Sequence, residues 1–183
     1  MGQIVQGNHR LAIMVDLDGS LCCGAQRLHL KPPVEKRGDP LAWEPFHMAC
    51  GGDTEIEDVG RMLRAMQAVG YLLVFVSYRS ESTRALTMEW LWDHGFRSPD
   101  HDLILREGDR GTPAPVFKLE KIRQLEKERN LKFVFAIEDD LPVCQHLRAN
   151  DIPCYQVRDW SNPMPSEEVE MPTYHAADPS TKQ

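Results

Sequence analysis

At 183 residues, 42% of them hydrophobic, the chain is the size of one domain with its own packed core. Its formal net charge of -7 excludes a surface that attracts polyanions throughout, so a nucleic-acid substrate would have to be gripped locally. Five cysteines, an odd number without Cys-x-x-Cys spacing, and no secretory signal at the start imply free thiols in a reducing, cytoplasmic-type compartment.

The first apolar run, "LAIMV" (11–15), reads as a strand. A long connection follows from Cys22 to Asp53, with Pro32, Pro33, Pro40, Pro45, Gly38, Gly51 and Gly52. Connections of this length are uncommon unless functional or disordered, and a small flap over a site is expected here. Adjacent Cys22 and Cys23 lack zinc spacing. "TEIEDVGRMLRAMQAVG" (54–70) reads as a helix with an acidic first turn that ends at Gly70. "YLLVFVS" (71–77) is the second strand, and "ESTRALTMEWLWDHG" (81–95) a second helix ending at glycine. "DLILR" (102–106) is the third strand, and "PVFKLEKIRQLEKERN" (115–130) a helix with proline at its start and a basic end. "KFVFAI" (132–137), a short helix over 141–151 and "IPCYQV" (152–157) complete the alternation. The tail after Trp160 is polar, acidic and proline-containing, and is expected to be disordered. No run is long enough to cross a membrane. Apolar strands without alternation, separated by helices, predict an α/β domain over residues 1–160 with a mostly parallel five-stranded sheet covered on both faces.

In such sheets ligands sit beyond the carboxyl ends of the strands. Strand one ends in Asp16-Leu17-Asp18-Gly19-Ser20, strand two in Ser77-Tyr78-Arg79, and strand four in Glu138-Asp139-Asp140. Lys118 lies in the first turn of the helix before strand four. Clustered carboxylates repel one another, and Mg²⁺ relieves that while keeping positions for water and phosphate oxygens. One carboxylate can attack phosphorus, a second can pass a proton to the leaving oxygen, and a lysine offsets phosphoryl charge. A serine hydroxyl can bind a phosphate oxygen, and Gly19 permits a sharp turn that brings amides close to phosphate. Each feature alone is ordinary: a turn, a strand end, a solvated lysine, a helix-cap cluster. An EF-hand reading fails because the loop lacks the terminal glutamate. The joint order of the four features points to phosphoryl transfer.

With these residues in place the sequence resembles the haloacid dehalogenase (HAD) superfamily. "VDLDGS" resembles its first motif, "VFVS" ending at Ser77 the second, Lys118 the third and "AIEDD" the acidic fourth, so a three-layer HAD-like (Rossmannoid) fold with a cap insertion over 22–53 is implied. It is most similar to the 3′-phosphatase domain of phage-type polynucleotide kinase-phosphatases. "SYR" stands for that group's Ser-Gly-Arg, "REGD" (106–109) for its Arg-Glu-x-x-Gly-Asp, and "PFHMACGGDTEI" for its approach to the first helix. The resemblance implies Asp16 as nucleophile and Asp18 as general acid and base. It implies that Ser77 and Lys118 hold the phosphoryl group, and that Arg79 contacts substrate or orients the acids. Mg²⁺ would be bound by Asp16, the backbone carbonyl of Asp18, Asp139 and Glu138. Tyr78 replaces a glycine, so the entrance is expected to be narrower or to stack a base. "TPAP" (112–115) lacks the acids often found before the lysine.

The implied activity is a Mg²⁺-dependent phosphomonoesterase acting on the 3′-phosphate of a nucleic-acid end or nucleotide, in the cytoplasm, or the host cytoplasm if phage-encoded. No Gly-x-x-x-x-Gly-Lys-Ser/Thr loop occurs, so a stand-alone phosphatase, or one whose kinase partner is separate, is expected, with a separate ligase as another candidate partner. Arg27, Lys31, Lys36, Arg37 and Trp43 in the flap are candidates for gripping a strand. The alternatives are a phosphatase of a small metabolite such as a nucleoside 5′-monophosphate, and a non-catalytic binding module. Retention of both Asp16 and Asp18 argues against the latter, and Asp18 argues against a dehalogenase.

Overall fold

A strand that is apolar on both faces needs neighbours on both edges and helices above and below. The run at 11–15 has all of these. The computed structural model describes residues 3–97, 99, 102–108 and 111–157. In chain order its elements are β1 (Val5–Gln6), β2 (His9–Val15), β3 (Cys22–Cys23), α1 (Glu44–Met48), β4 (Thr54–Glu55), α2 (Glu57–Ala68) and β5 (Leu72–Ser80). These are followed by α3 (Arg84–Asp93), β6 (Leu103–Arg106), α4 (Ala114–Arg129), β7 (Leu131–Glu138), α5 (Leu141–Arg148) and β8 (Cys154–Gln156). The main sheet runs β6-β5-β2-β7-β8, all parallel, so β2 is central. The five expected strands are all present. A sixth, the short β1, pairs antiparallel with the start of β2.

Alternate residues of β2 point to opposite faces. Ala12 and Met14 join Phe117 and Ile122 of α4 and Leu147 of α5 on one side. Ile13 and Val15 join Leu63 of α2 and Leu91 of α3 on the other. Three layers result. A fully buried side chain such as Leu63 or Leu91 stabilises the fold by roughly 1.5–3 kcal/mol. Asn130 closes α4 in the left-handed region at φ 52, turning the chain straight into β7.

Local signals were overridden in two places. The helix expected from Thr54 begins at Glu57, because Thr54 and Glu55 pair antiparallel with Cys23 and Cys22. Strand two continues past Ser77 to Ser80, with a register irregularity against β6 between Val76 and Ser80. The insertion between Cys22 and Asp53 is folded, built of short 3-10 turns and α1. The β3–β4 pair and an Ile56 amide bond to the Leu21 carbonyl (2.8 Å) tie its ends together. The tail expected to be disordered lies outside the described residues. Among those described, no helix is long and apolar enough to cross a membrane.

Candidate active site

The carboxyl ends of β2, β5 and β7 meet at one edge of the sheet. Asp16 directly follows β2, and its amide still donates to the Ile137 carbonyl of the neighbouring strand (3.0 Å), so its position is set by the sheet. Beyond it, the Leu17 carbonyl accepts bonds from the amides of Ser20, Leu21 and Cys22, which folds the chain back. Gly19 sits at φ +87 in this turn, a conformation suited to glycine. Its amide donates to the Cys22 carbonyl (2.9 Å). Gly19 therefore makes the sharp turn expected of it, with its own amide engaged by the Cys22 carbonyl.

Two charge groups flank this turn. In the first, buried Lys118 donates to Asp16 Oδ1 and to Glu138 Oε2, both at 2.6 Å. The other oxygen of Glu138 accepts the amides of Asp139 (3.3 Å) and Asp140 (3.2 Å). Asp16, Glu138 and Asp139 present carboxylate oxygens within 4.8 Å of one another, and Ser20 Oγ reaches Asp139 at 3.5 Å. Three acids against one lysine leave excess negative charge in a buried place. Burial, and then the charge of Asp16, push Glu138 up to about 8 and Asp139 up to about 7. Burial also raises Asp16, with Lys118 pulling the other way. Burial alone would lower Lys118, but Asp16 and Glu138 outweigh it and keep its pKa raised. Such a donor set, all hard oxygen with unrelieved repulsion, fits a divalent cation.

In the second group, Arg79 grips Asp18 with a fork, Nε to Oδ2 at 2.9 Å and Nη2 to Oδ1 at 2.7 Å. Arg27 also pairs with Asp18 Oδ1. Both arginines are tied to the fully buried carboxylate of Asp53: Arg27 Nε at 2.7 Å and Arg79 Nη2 at 3.0 Å. Gln26 donates to Asp53 (2.8 Å), Thr87 accepts from Arg79 (3.3 Å), and the Phe46 carbonyl accepts from Arg27 (2.8 Å). Burial alone would raise Asp18, but Arg79 and then Arg27 hold it well below the usual carboxylate range. The carboxylate of Asp18 thus stands apart from the three-acid cluster.

Arg27 corrects an expectation. Read as a flap residue able to grip a nucleic-acid strand, it is 1% exposed, because two acids neutralise it and the Phe46 ring covers it at 4.1 Å. Gly24 makes room for it, since a Cβ there would lie 2.9 Å from its Nε. His47 and Asp53 lie in the "PFHMACGGDTEI" stretch but were given no role, and Thr87 was missed. Ser77 is buried beside the acids. Tyr78 is pinned, its hydroxyl donating to the Thr112 carbonyl (2.6 Å), its ring edge-on to Phe117 and Arg106 over it at 5.1 Å. Asp109 lies outside the described residues.

Asp16, Asp18, Ser77, Lys118, Glu138 and Asp139 open onto a cleft of about 520 Å³. Arg37, Trp43, Phe46 and His47 of the insertion form one wall, and Tyr78, Arg106 and Pro113 also line the cleft. His47 is buried and kept neutral, its pKa pushed down to about 4 by burial and by Arg79 and Arg27.

The family model of the polynucleotide kinase PNKP phosphatase domain matches residues 10–161. The chain belongs to this family. It is a HAD-type phosphatase. No curated protein matches the sequence. Among solved structures, this PNKP-type phosphatase is similar to a chain of a "Pnkp1/Rnl/Hen1 RNA repair complex" (20% identity, TM-score 0.61, 85% of this chain and 45% of that one). A second structure of the Pnkp1/Rnl/Hen1 complex matches over 86% of this chain and 48% of that one, also at 20% identity and a TM-score of 0.61. The present chain thus spans about half the length of those proteins. The class C acid phosphatase from Bacillus anthracis with tungstate bound shares the fold at 16% identity and a TM-score of 0.57, over 78% of this chain and 62% of that one.

Proposed function

We propose that the protein removes the 3′-phosphate from a nucleic-acid end or nucleotide, with Asp16 as nucleophile, Asp18 as proton carrier and Mg²⁺ as cofactor. One observation carries this reading. Two carboxylates two residues apart are held in opposite ways, Asp16 by a lysine amid acids and Asp18 by two arginines. Environments that drive two acids apart mark separate roles.

In the first half-reaction an Asp16 oxygen attacks phosphorus while the bond to the 3′ oxygen breaks, and Asp18, which takes up a proton from solvent or the substrate as the phosphate binds, delivers it to that oxygen. In the second, Asp18 takes a proton from water, the resulting hydroxide attacks phosphorus, and Asp16 leaves as carboxylate. Lys118 and Ser77 hold the non-bridging oxygens. Mg²⁺, held by Asp16, Asp139, Glu138 and the Asp18 carbonyl, would neutralise the acids and polarise the phosphoryl group. A phosphate dianion near Arg79 and Arg27 offsets their pull on Asp18 and raises its proton affinity.

Similarity to chains of an RNA repair complex supports a nucleic-acid end as substrate and separate end-processing partners. The net charge of -7 favours a short end or mononucleotide over long duplex. A substrate panel tests the reading: a 3′-phosphorylated oligonucleotide, a nucleoside 3′-phosphate, a nucleoside 5′-phosphate and sugar phosphates at fixed salt. Preference for the 3′-phosphates is expected, and preference for the 5′-phosphate would overturn it.

A further inference from the structure

The floor of the cleft accounts for the phosphate, but its insertion wall does not. A volume of about 520 Å³ is within the range of sites that enclose a whole small ligand, and a phosphate group fills little of it. The wall is aromatic. Trp43 and His47 lie four residues apart, one helical turn, so their rings share a face of α1. Those rings are near parallel, 20° apart with centroids at 6.2 Å. Phe46 buttresses Trp43 edge-on (5.6 Å, 83°) and is itself capped by the Arg27 guanidinium. The Trp43 indole N–H donates to the Arg37 carbonyl (3.0 Å), which fixes the orientation of the ring. His47 is 8% exposed and its Nδ1 has no hydrogen-bond partner among the described residues. A buried polar atom left without a partner is costly, and such atoms gather where a ligand completes them. Arg27, over Phe46, is committed to Asp18 and Asp53, Lys31 Nζ lies 5.8 Å from the same Phe46 ring, and Arg37 stands at the exposed margin, so the Trp43 and His47 rings themselves offer a flat uncharged surface with one hydrogen-bonding ring.

We infer that this wall is a nucleobase subsite: the base of the nucleotide carrying the scissile phosphate lies against Trp43 with its polar edge at His47. This rests on the 3′-phosphatase reading and extends it by naming what the enzyme recognises beyond phosphate. A planar base suits a parallel ring platform, and stacking accepts any base because each has a π face. Arg37, exposed beside Trp43, is placed for the next backbone phosphate of a longer strand.

The test compares kcat/KM on two oligonucleotides that differ only at the 3′-phosphorylated end, one with a normal nucleotide and one with an abasic residue. The wild type is expected to favour the end that carries a base. In Trp43→Leu, which keeps apolar bulk without the ring, the ratio of the two values should fall about 5- to 150-fold. Trp43→Phe should keep most of the ratio, and His47→Gln should lower it while retaining hydrogen-bonding capacity in a different geometry. If Trp43→Leu does not fold, the Phe and Gln variants together with the wild-type ratio decide the matter. Equal turnover of both ends by the wild type, or an unchanged ratio in His47→Gln and, where it folds, in Trp43→Leu, overturns the subsite and leaves the phosphatase reading intact. Failure to cleave either 3′-phosphate alongside turnover of a nucleoside 5′-phosphate overturns both.

Discussion

Lys118→Met is the sharpest test of how the acid cluster is balanced. Lys118 makes two 2.6 Å charged contacts and is 3% exposed. Methionine keeps most of its volume and removes its charge, leaving Asp16, Glu138 and Asp139 facing one another. Breaking a buried ion pair by deleting one partner costs about 3–5 kcal/mol. At a urea slope of about 2 kcal/mol per molar, the midpoint at pH 8 in EDTA should drop by about 1.5–2.5 M. The loss should shrink at pH 5.5, where Glu138 and Asp139, raised to about 8 and about 7, carry protons and repel less. Millimolar Mg²⁺ at pH 8 should recover part of it, because a cation replaces the missing positive charge. Activity should fall about 10²–10³-fold even with Mg²⁺, as for the loss of one group stabilising transition-state charge. Circular dichroism unfolding at the two pH values, with and without Mg²⁺, reads all of this. An equal midpoint loss at both pH values, insensitive to Mg²⁺, would refute the charge-balance reasoning and reduce Lys118 to a packing residue.

Other outcomes follow from the same geometry. Asp16→Asn should abolish hydrolysis of a generic aryl phosphate, and substantial residual turnover would remove the aspartyl-phosphate step. Arg79→Lys should lower kcat at least 10²-fold, since an ammonium cannot reproduce the fork on Asp18 together with the bond to Asp53; near-normal turnover would refute the need for bidentate geometry. In EDTA the wild type should lose stability as pH rises from about 4 to about 8, less steeply below about 6.5, where His47, held neutral down to about 4, contributes the opposite slope of one proton. Folded Glu138 and Asp139 keep protons that the unfolded chain releases near its ordinary 4.5 and 3.8, so the folded state binds more protons in this window. The slope is about 1.4 kcal/mol per pH unit per proton, and saturating Mg²⁺ should flatten it; a rise in stability with pH would contradict the assignment. Gly24→Ala should destabilise by about 1–3 kcal/mol, because the added methyl meets an Arg27 guanidinium that Asp18 and Asp53 prevent from moving. An unchanged melting curve would show that Arg27 has more freedom than its bonds suggest.

The parallel sheet was legible because each core strand is a short apolar run bounded by helical periodicity. The strand-end acids were legible because their order along the chain matches their convergence in space. What was not legible depends on pairings without local pattern. Arg27 and Asp53 lie 26 residues apart. A lone arginine in "AQRLHL" carries no mark of burial. Thr54 and Glu55 resemble a helix start, yet β pairing to Cys22 and Cys23 outweighs that preference. His47 gave no signal, because its interest lies in a ring face shared with Trp43.

The Asp18–Arg27–Asp53–Arg79 lattice stitches the insertion to the sheet by charge. Lifting the insertion as a lid would tear the buried Arg27 from the half-buried Asp18, so the charge pairing favours the closed arrangement. The exposed lining residues Arg37, Gly38, Pro113 and Asp140 mark the doorway that stays open instead. On the proposed 3′-phosphatase reading, a doorway that does not widen would admit the terminus of a strand and exclude its middle.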